Sequence, residues 1–404
     1  MSSNKYLIKD LLECVVDNRG KTPPCSESGH PLIEINSMSN DRRFVDYKLV
    51  KKYVTDDVYN TCFRSGHPKI GDILIPTVGT LGIISIVDRD DTCIAQNIIA
   101  LRTNGKICDS RYLYYLLKDE KTKQAVLNLD IGAVQPSIKV PHLMNLEVEI
   151  PSLEEQKRIV SVLETIDLKI ENNKKIIEAL SESIKNLIKV KIPYDYCDNV
   201  DGWRIYNLCE IADFYPGYSY KSAELIENSN CAMATIKNFD RHGGFKLDGF
   251  KELVPSSKLK DHHLIDLFDI MVAHTDLTQN AEVIGNSEIL LSKMSYSKIV
   301  MSMDLVKVKT KGVINNFLLA AILNDSRFKN HCLGYVNGTT VLHMSKKALP
   351  DYQLLLPVNL NELEPLAAVV ENEYKQISNR LEENIKLMGL IKIILPRLIS
   401  GDIS

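Results

Sequence analysis

No run of about 18 apolar residues occurs in this 404-residue chain, so no membrane-spanning helix is expected. Its opening, MSSNKYLIKDLLE, lacks the charged-then-apolar layout of a signal peptide. Nine cysteines include no C-x-x-C pair, which argues against a zinc site or disulfide framework and for the reduced thiols of a cytoplasmic protein. His262-His263 have no cysteine beside them and read as surface-loop residues. Basic charge is not in surplus: 49 Lys and Arg stand against 52 Asp and Glu, for a net charge of −3. Such a chain does not coat nucleic acid through its overall field, so any contact with DNA needs local positive charge or charge brought by other subunits. Catalytic signatures are also missing, with no H-E-x-x-H, G-x-S-x-G or G-x-G-x-x-G and no Asn-Pro-Pro-aromatic stretch for holding a base amino group. Gly20-Lys21-Thr22 looks like the end of a P-loop, but Val15 stands where the first glycine belongs.

What is present is a globular composition, 45% hydrophobic and 25% charged, at a length that implies two to three domains. One stretch organises the chain. After Pro151-Ser152 neither Gly nor Pro appears until Pro193, and Ile159, Leu163, Ile166, Ile170, Ile177, Leu180, Ile184 and Leu187 recur in steps of four and three. That rhythm predicts a helix over 153–191, about 57 Å long at roughly 1.5 Å per residue, with a heptad seam rather than the wider stripe of a helix on a globular core. Ser152 and Glu155 are placed for a capping box. Glu171, Lys174, Lys175 and Glu178 read as a solvated, ion-paired flank. A single seam requires a partner helix. The C-terminal segment supplies one through Val370, Tyr374, Ile377, Leu381, Met388, Ile391 and Leu395. Asn173 and Asn384 interrupt the two seams at equivalent steps, which predicts an antiparallel pair with both amides at its centre, the alternative being that both face solvent at the seam's edge.

Between the helices the chain repeats. Leu11, Gly20 and Asp72 recur as Leu208, Gly217 and Asp269, each 197 residues on, and Gly132 and Pro151 recur as Gly338 and Pro357, each 206 residues on. A constant offset that ends each time in a proline and a heptad helix indicates tandem duplication. Residues 5–16 have a short helical look, 69–103 read as strands with turns at Gly79-Thr80 and Asp90-Asp91, and 110–129 return to helical spacing.

These residues resemble the specificity (S) subunits of type I restriction-modification systems over the whole chain. Ile150-Pro151-Ser152-Leu153-Glu154-Glu155-Gln156-Lys157-Arg158-Ile159 resembles the opening of that family's central conserved helix, P-P-L-x-E-Q-x-x-I. Gly71-Asp72-Ile73-Leu74 and Gly79-Thr80-Leu81-Gly82 resemble its strand-turn signatures, and Leu395-Pro396-Arg397-Leu398 its C-terminal ending. The second copy departs from the pattern: Pro357-Val358-Asn359-Leu360-Asn361-Glu362 has lost the Leu-x-Glu-Gln signature, and Phe268 replaces Gly before Asp269.

The resemblance implies an α+β fold with a pseudo-twofold internal repeat. It comprises a target-recognition domain over 1–150, the central helix over 151–193, a second target-recognition domain over 194–356 and the C-terminal helix over 357–404. It further implies that each domain reads one half of a split target in double-stranded DNA and that the antiparallel helices hold the half-sites apart. The chain itself would have no catalytic residues, no metal and no cofactor. Two modification (methyltransferase) subunits would bring S-adenosylmethionine, and motor-nuclease restriction subunits would bring ATP and Mg.

Polar loop residues are the candidates for phosphate or base-edge contacts. In the first module these are Asn18, Arg19, Lys21, Thr22, Thr77, Thr80, Gln135 and Ser137. In the second they are Tyr218, Ser219, Lys221, Lys237, Asn238, Arg241, His274, Thr275, Thr278, Gln279, Thr339 and Thr340. Asn97 and Asp304, in matched strands, read equally as satisfied core groups. Two alternatives stand beside DNA recognition: a coiled-coil scaffold that binds proteins, and a nuclease or methyltransferase without recognisable motifs.

Overall fold

Residues 5–16, which look helical in the sequence, form a strand, one 3-10 turn and a second strand. Asn4–Leu7 pairs antiparallel with Glu147–Ile150, and Leu12–Val16 pairs with Ile98–Thr103. Partners about 90 and 140 residues away override a weak local preference, as usual for short strands. The computed structural model describes residues 3–40, 42–132, 134–193, 201–241, 243–338 and 341–403. By compactness these divide into two units, Met1–Glu171 with Leu387–Ser404, and Asn172–Lys386. The division falls inside both long helices, so each β-rich module is grouped with a half of each helix.

In the first unit a four-stranded antiparallel sheet has the order Leu12–Val16, Ile98–Thr103, Ile73–Pro76, Ser85–Ile86. A smaller sheet sets His30–Ile33 between Tyr53–Val54 and a parallel partner, Cys93–Ile94. Asp109 caps the helix Ser110–Lys118, and Asp119 caps Glu120–Leu127. The second unit repeats this plan. Ala212–Pro216, Leu305–Thr310, Ile270–Ala273 and Ser287–Ile289 form its four-stranded antiparallel sheet, and Cys231–Ala234 again has a parallel partner, Lys298–Met301. Trp203–Asn207 pairs with Gln353–Pro357, and the helices Asn316–Leu323 and Ser326–Leu333 follow. Duplication is therefore present in topology as well as in sequence.

The motif residues hold these sheets together. Asp72 accepts the Lys69 N–H and pairs with Arg102 at 2.7 Å; Asp269 accepts the Asp266 N–H and lies 3.6 Å from Lys307. Gly71 has φ 91°, and Phe268 takes the same left-handed region at φ 71°, a conformation that costs a bulky residue about 1–2 kcal/mol. Its ring rests 4.9 Å from that of Phe317.

The long helix runs Leu153–Lys191, with Ser152 Oγ accepting the Glu155 N–H. The Glu155 carboxylate binds Arg158 instead of closing a capping box. Gln156 is fully buried: its Oε1 accepts the Asp109 N–H at 2.9 Å, and its Nε2 donates to the carbonyls of Ile107 and Pro151. The signature glutamine thus ties the helix start to the cap of Ser110–Lys118. The second helix, Glu364–Ser400, follows a 3-10 turn over Leu360–Leu363.

Both helices bury more than a heptad seam. In the first unit Ile159, Val160, Leu163, Leu395 and Leu398 share one core with Ile8, Leu11 and Tyr112. In the second, Ile184, Ile188, Ile192, Val370, Tyr374 and Ile377 share one with Leu208, Ile270 and Leu318. The narrow-seam expectation is corrected accordingly, because each helix packs on a module as well as on its partner. Met388, placed on the seam by its spacing, is 39% exposed. Among the described residues no helix is long and apolar enough to cross a membrane.

Candidate nucleic-acid interface

In the first unit the loop after Leu12–Val16 is tied down from within. Asn18 Nδ2 donates to the Gly66 carbonyl and its Oδ1 accepts the Ser65 N–H, both at 2.9 Å. Asn18 is therefore a loop clamp. Arg19 is held by Asp17 at 2.6 Å, and this hydrogen bond keeps the Asp17 carboxyl below its usual range. Lys21 and Thr22 are exposed. Thr77 is buried, with its N–H and O–H donated to the Asn97 carbonyl, so it too is structural. Thr80 and Gln135 are exposed and Ser137 half-buried, and their loops meet: Val78 bridges Ser137, and the Gly79 N–H donates to the Pro136 carbonyl at 2.9 Å.

In the second unit the loops join in sequence. Tyr218 is buried; its hydroxyl donates to Glu224 Oε2 at 2.7 Å and accepts the Ser256 N–H at 3.1 Å. Tyr218 bridges Ser302, and the Met303 N–H donates to the Tyr218 carbonyl. The neighbouring Asp304 accepts the Thr275 hydroxyl at 3.0 Å, while its carbonyl accepts the His274 N–H. Thr275–Asp276 then pairs with Leu342–Met344, which pairs with Val336–Asn337. Loops far apart in sequence are thereby placed side by side, with Ser219, Lys221, Gln279 and His343 exposed on them. Burial, the neighbouring His343 and Lys346 push the His274 imidazole below its ordinary value, against an opposing pull from Asp304.

Asn238 is fully buried; its Oδ1 accepts the Thr235 N–H and its Nδ2 donates to the Lys246 carbonyl. Tyr218, Asn238 and Thr275 are corrected to residues that shape the loops. Their buried polar atoms are hydrogen-bonded within the protein. Thr278 donates its hydroxyl to Asp276 at 2.8 Å. Lys237 and Arg241 are exposed, Arg241 pairing with Glu282 at 3.2 Å. Thr339 and Thr340 lie outside the described residues. Sequence reasoning missed exposed Lys258 and Lys260, whose segment joins the interface through the Tyr218–Ser256 contact, and exposed His343. No local pattern marks them, since only tertiary pairing brings them in.

The turn that carries Arg241 is fastened to the strand Ser287–Ile289. The Gly244 N–H donates to Glu288 Oε1 at 2.7 Å, and Asn286 Nδ2 donates to the Asp240 carbonyl at 3.2 Å. Burial pushes the Glu288 carboxyl up to about 7, against the Gly244 and Asn324 hydrogen bonds and Lys185 and with Asp240. A carboxyl raised from 4.5 on folding binds its proton more tightly in the folded state, so its contribution to stability falls between about pH 4.5 and 7. Glu288→Gln keeps an acceptor for Gly244 and removes this dependence. The melting-temperature difference between variant and parent is expected to grow in the variant's favour from pH 5 to 8. A difference independent of pH would show that Glu288 ionises freely.

Two units built on a similar plan, each with a half of both long helices and each gathering polar loops from distant parts of its sequence, define a duplicated architecture. The chain is similar to the specificity subunits of type I restriction-modification systems. The family described as type I restriction modification DNA specificity domain matches residues 3–182, the half with the intact Leu-x-Glu-Gln signature. The MjaIX type I restriction enzyme specificity subunit of Methanocaldococcus jannaschii is 22% identical over 380 residues, covering 87% of this chain and 82% of that one. The putative MjaX specificity subunit of the same organism is 28% identical over 188 residues, 45% of this chain and 43% of that one. The crystal structure of the type I restriction-modification S subunit from M. genitalium shares the fold, with a TM-score of 0.56 at 15% identity, covering 98% of this chain and 96% of that one.

Proposed function

We propose that this chain reads a bipartite target in double-stranded DNA, one module to each half-site, with the paired helices setting the spacer. It does so within a complex whose two modification subunits carry S-adenosylmethionine and methyl transfer, and whose restriction subunits use ATP and Mg for cleavage. The observation that carries this reading is the joined set of loops in the second unit. Hydrogen bonds from Tyr218 through Asp304 and Thr275 hold exposed Ser219, Lys221 and Gln279 on one continuous framework. Rigid backbone presenting mixed donors and acceptors suits base edges, and nearby lysines suit phosphates.

The test is a gel shift on a mixed duplex pool with the partner methyltransferase present. Selection of one split motif is expected, with labelled methyl transfer seen only in the partner's presence. Binding without sequence preference, or transfer by the chain alone, would sink the reading. Lys221→Ala is expected to weaken binding to every sequence and to reduce the salt slope by about one unit. An unchanged slope would remove Lys221 from the phosphate contacts.

A further inference from the structure

In both units a carboxylate stiffens a loop of the candidate interface, and an apolar side chain stands out from that loop. In the first, Asp130 accepts the N–H groups of Gly132 and Ser137 at 2.8 and 2.7 Å, and Val134 between them is fully exposed. In the second, buried Asp276 accepts the N–H groups of Thr278 and Val283 at 2.8 and 2.6 Å, and Leu277 is 67% exposed. Each loop is also paired to its neighbour, Val78 to Ser137 and Asp276 to Leu342. In both loops these hydrogen bonds and pairings lie on either side of an apolar side chain that is exposed. Each residue sits among polar groups, Gln135 and Ser137 in one case, Thr278 and Gln279 in the other.

We propose that Val134 and Leu277 each contact the C5-methyl group of a thymine, one in each half-site. The proposal rests on the DNA-reading function above. An apolar side chain can neither bind phosphate nor exchange hydrogen bonds with a base edge. In the major groove the one apolar group on offer is the thymine methyl, and contact with it discriminates A·T from G·C. A stiff loop makes the contact at little cost in ordering, because the backbone is already fixed.

The test uses the complex with its methyltransferase partner, on the duplex selected from the pool, with each thymine replaced singly by deoxyuridine. At one thymine in each half-site, loss of the methyl is expected to weaken binding by about 3- to 5-fold, the order of one buried methyl group. Val134→Ala should abolish that sensitivity in one half-site only, and Leu277→Ala in the other. Both side chains are exposed, and unchanged melting temperatures will show that the variants fold. Tolerance of deoxyuridine at every position, a half-site without an A·T pair, or sensitivity that survives both variants would each overturn the proposal. Specific binding without methyl dependence removes the proposal alone, whereas failure to select any duplex removes the DNA-reading function as well.

Discussion

Arg43→Ala is expected to destabilise the first unit by about 3–5 kcal/mol, the usual cost of removing one partner from a buried ionic cluster. Arg43 is 5% exposed, and its guanidinium meets three acids of the long helix. Glu171 receives two hydrogen bonds at 2.7 and 3.0 Å, Glu164 one at 3.3 Å, and Asp167 lies 3.8 Å away. Tyr115 donates to Asp167 at 2.6 Å and Arg111 to Glu164 at 2.9 Å, so the cluster joins a loop, the helix Ser110–Lys118 and the long helix. Without Arg43 three carboxylates face one another, and burial already raises the Asp167 carboxyl. Protonation relieves that repulsion, so the deficit of the variant should shrink as pH falls from 8 to 5. Urea unfolding at both pH values, with hydrogen exchange to locate the change, measures this. An equal deficit at both would mean that Arg43 acts through packing alone.

The asparagine pair gives the second large effect. Asn173 and Asn384 are buried, and Asn173 Nδ2 donates to Asn384 Oδ1 at 2.9 Å and to Glu383 Oε2 at 2.8 Å. Asn173→Leu alone leaves the Asn384 amide buried without this donor, and should cost about 1–3 kcal/mol. Asn173→Leu with Asn384→Leu replaces both amides by apolar groups and should raise the melting temperature above that of the parent. What the double variant loses is discrimination between registers. A slip of one heptad displaces one helix along the other by roughly 10 Å, about three base pairs of duplex. On the proposed function, the complex would then accept spacers that the parent rejects, as binding to duplexes of graded spacer length will show. A less stable double variant that keeps one strict spacer would exclude a register lock.

Sequence alone determined the long helix and the repeat, because both are written in local order. Pro151 and Pro193 bracket an apolar period that is helical whatever surrounds it, and the helix bounds of 153–191 are those found. Constant offsets between glycines, aspartates and prolines survive in the chain regardless of packing, and the two sheets follow the same order. The loops were another matter. Lys21 and Lys221 stand exposed as polar loop residues do by default, whereas Tyr218, Asn238, Thr275 and Thr77 turn inward. Tyr218 meets the Ser256 N–H from 38 positions away, and Thr275 meets the Asp304 carboxylate from 29. Burial of a polar side chain is decided by which remote strand end arrives beside it. Only the tertiary structure could therefore separate residues that hold the loops from residues that the loops present.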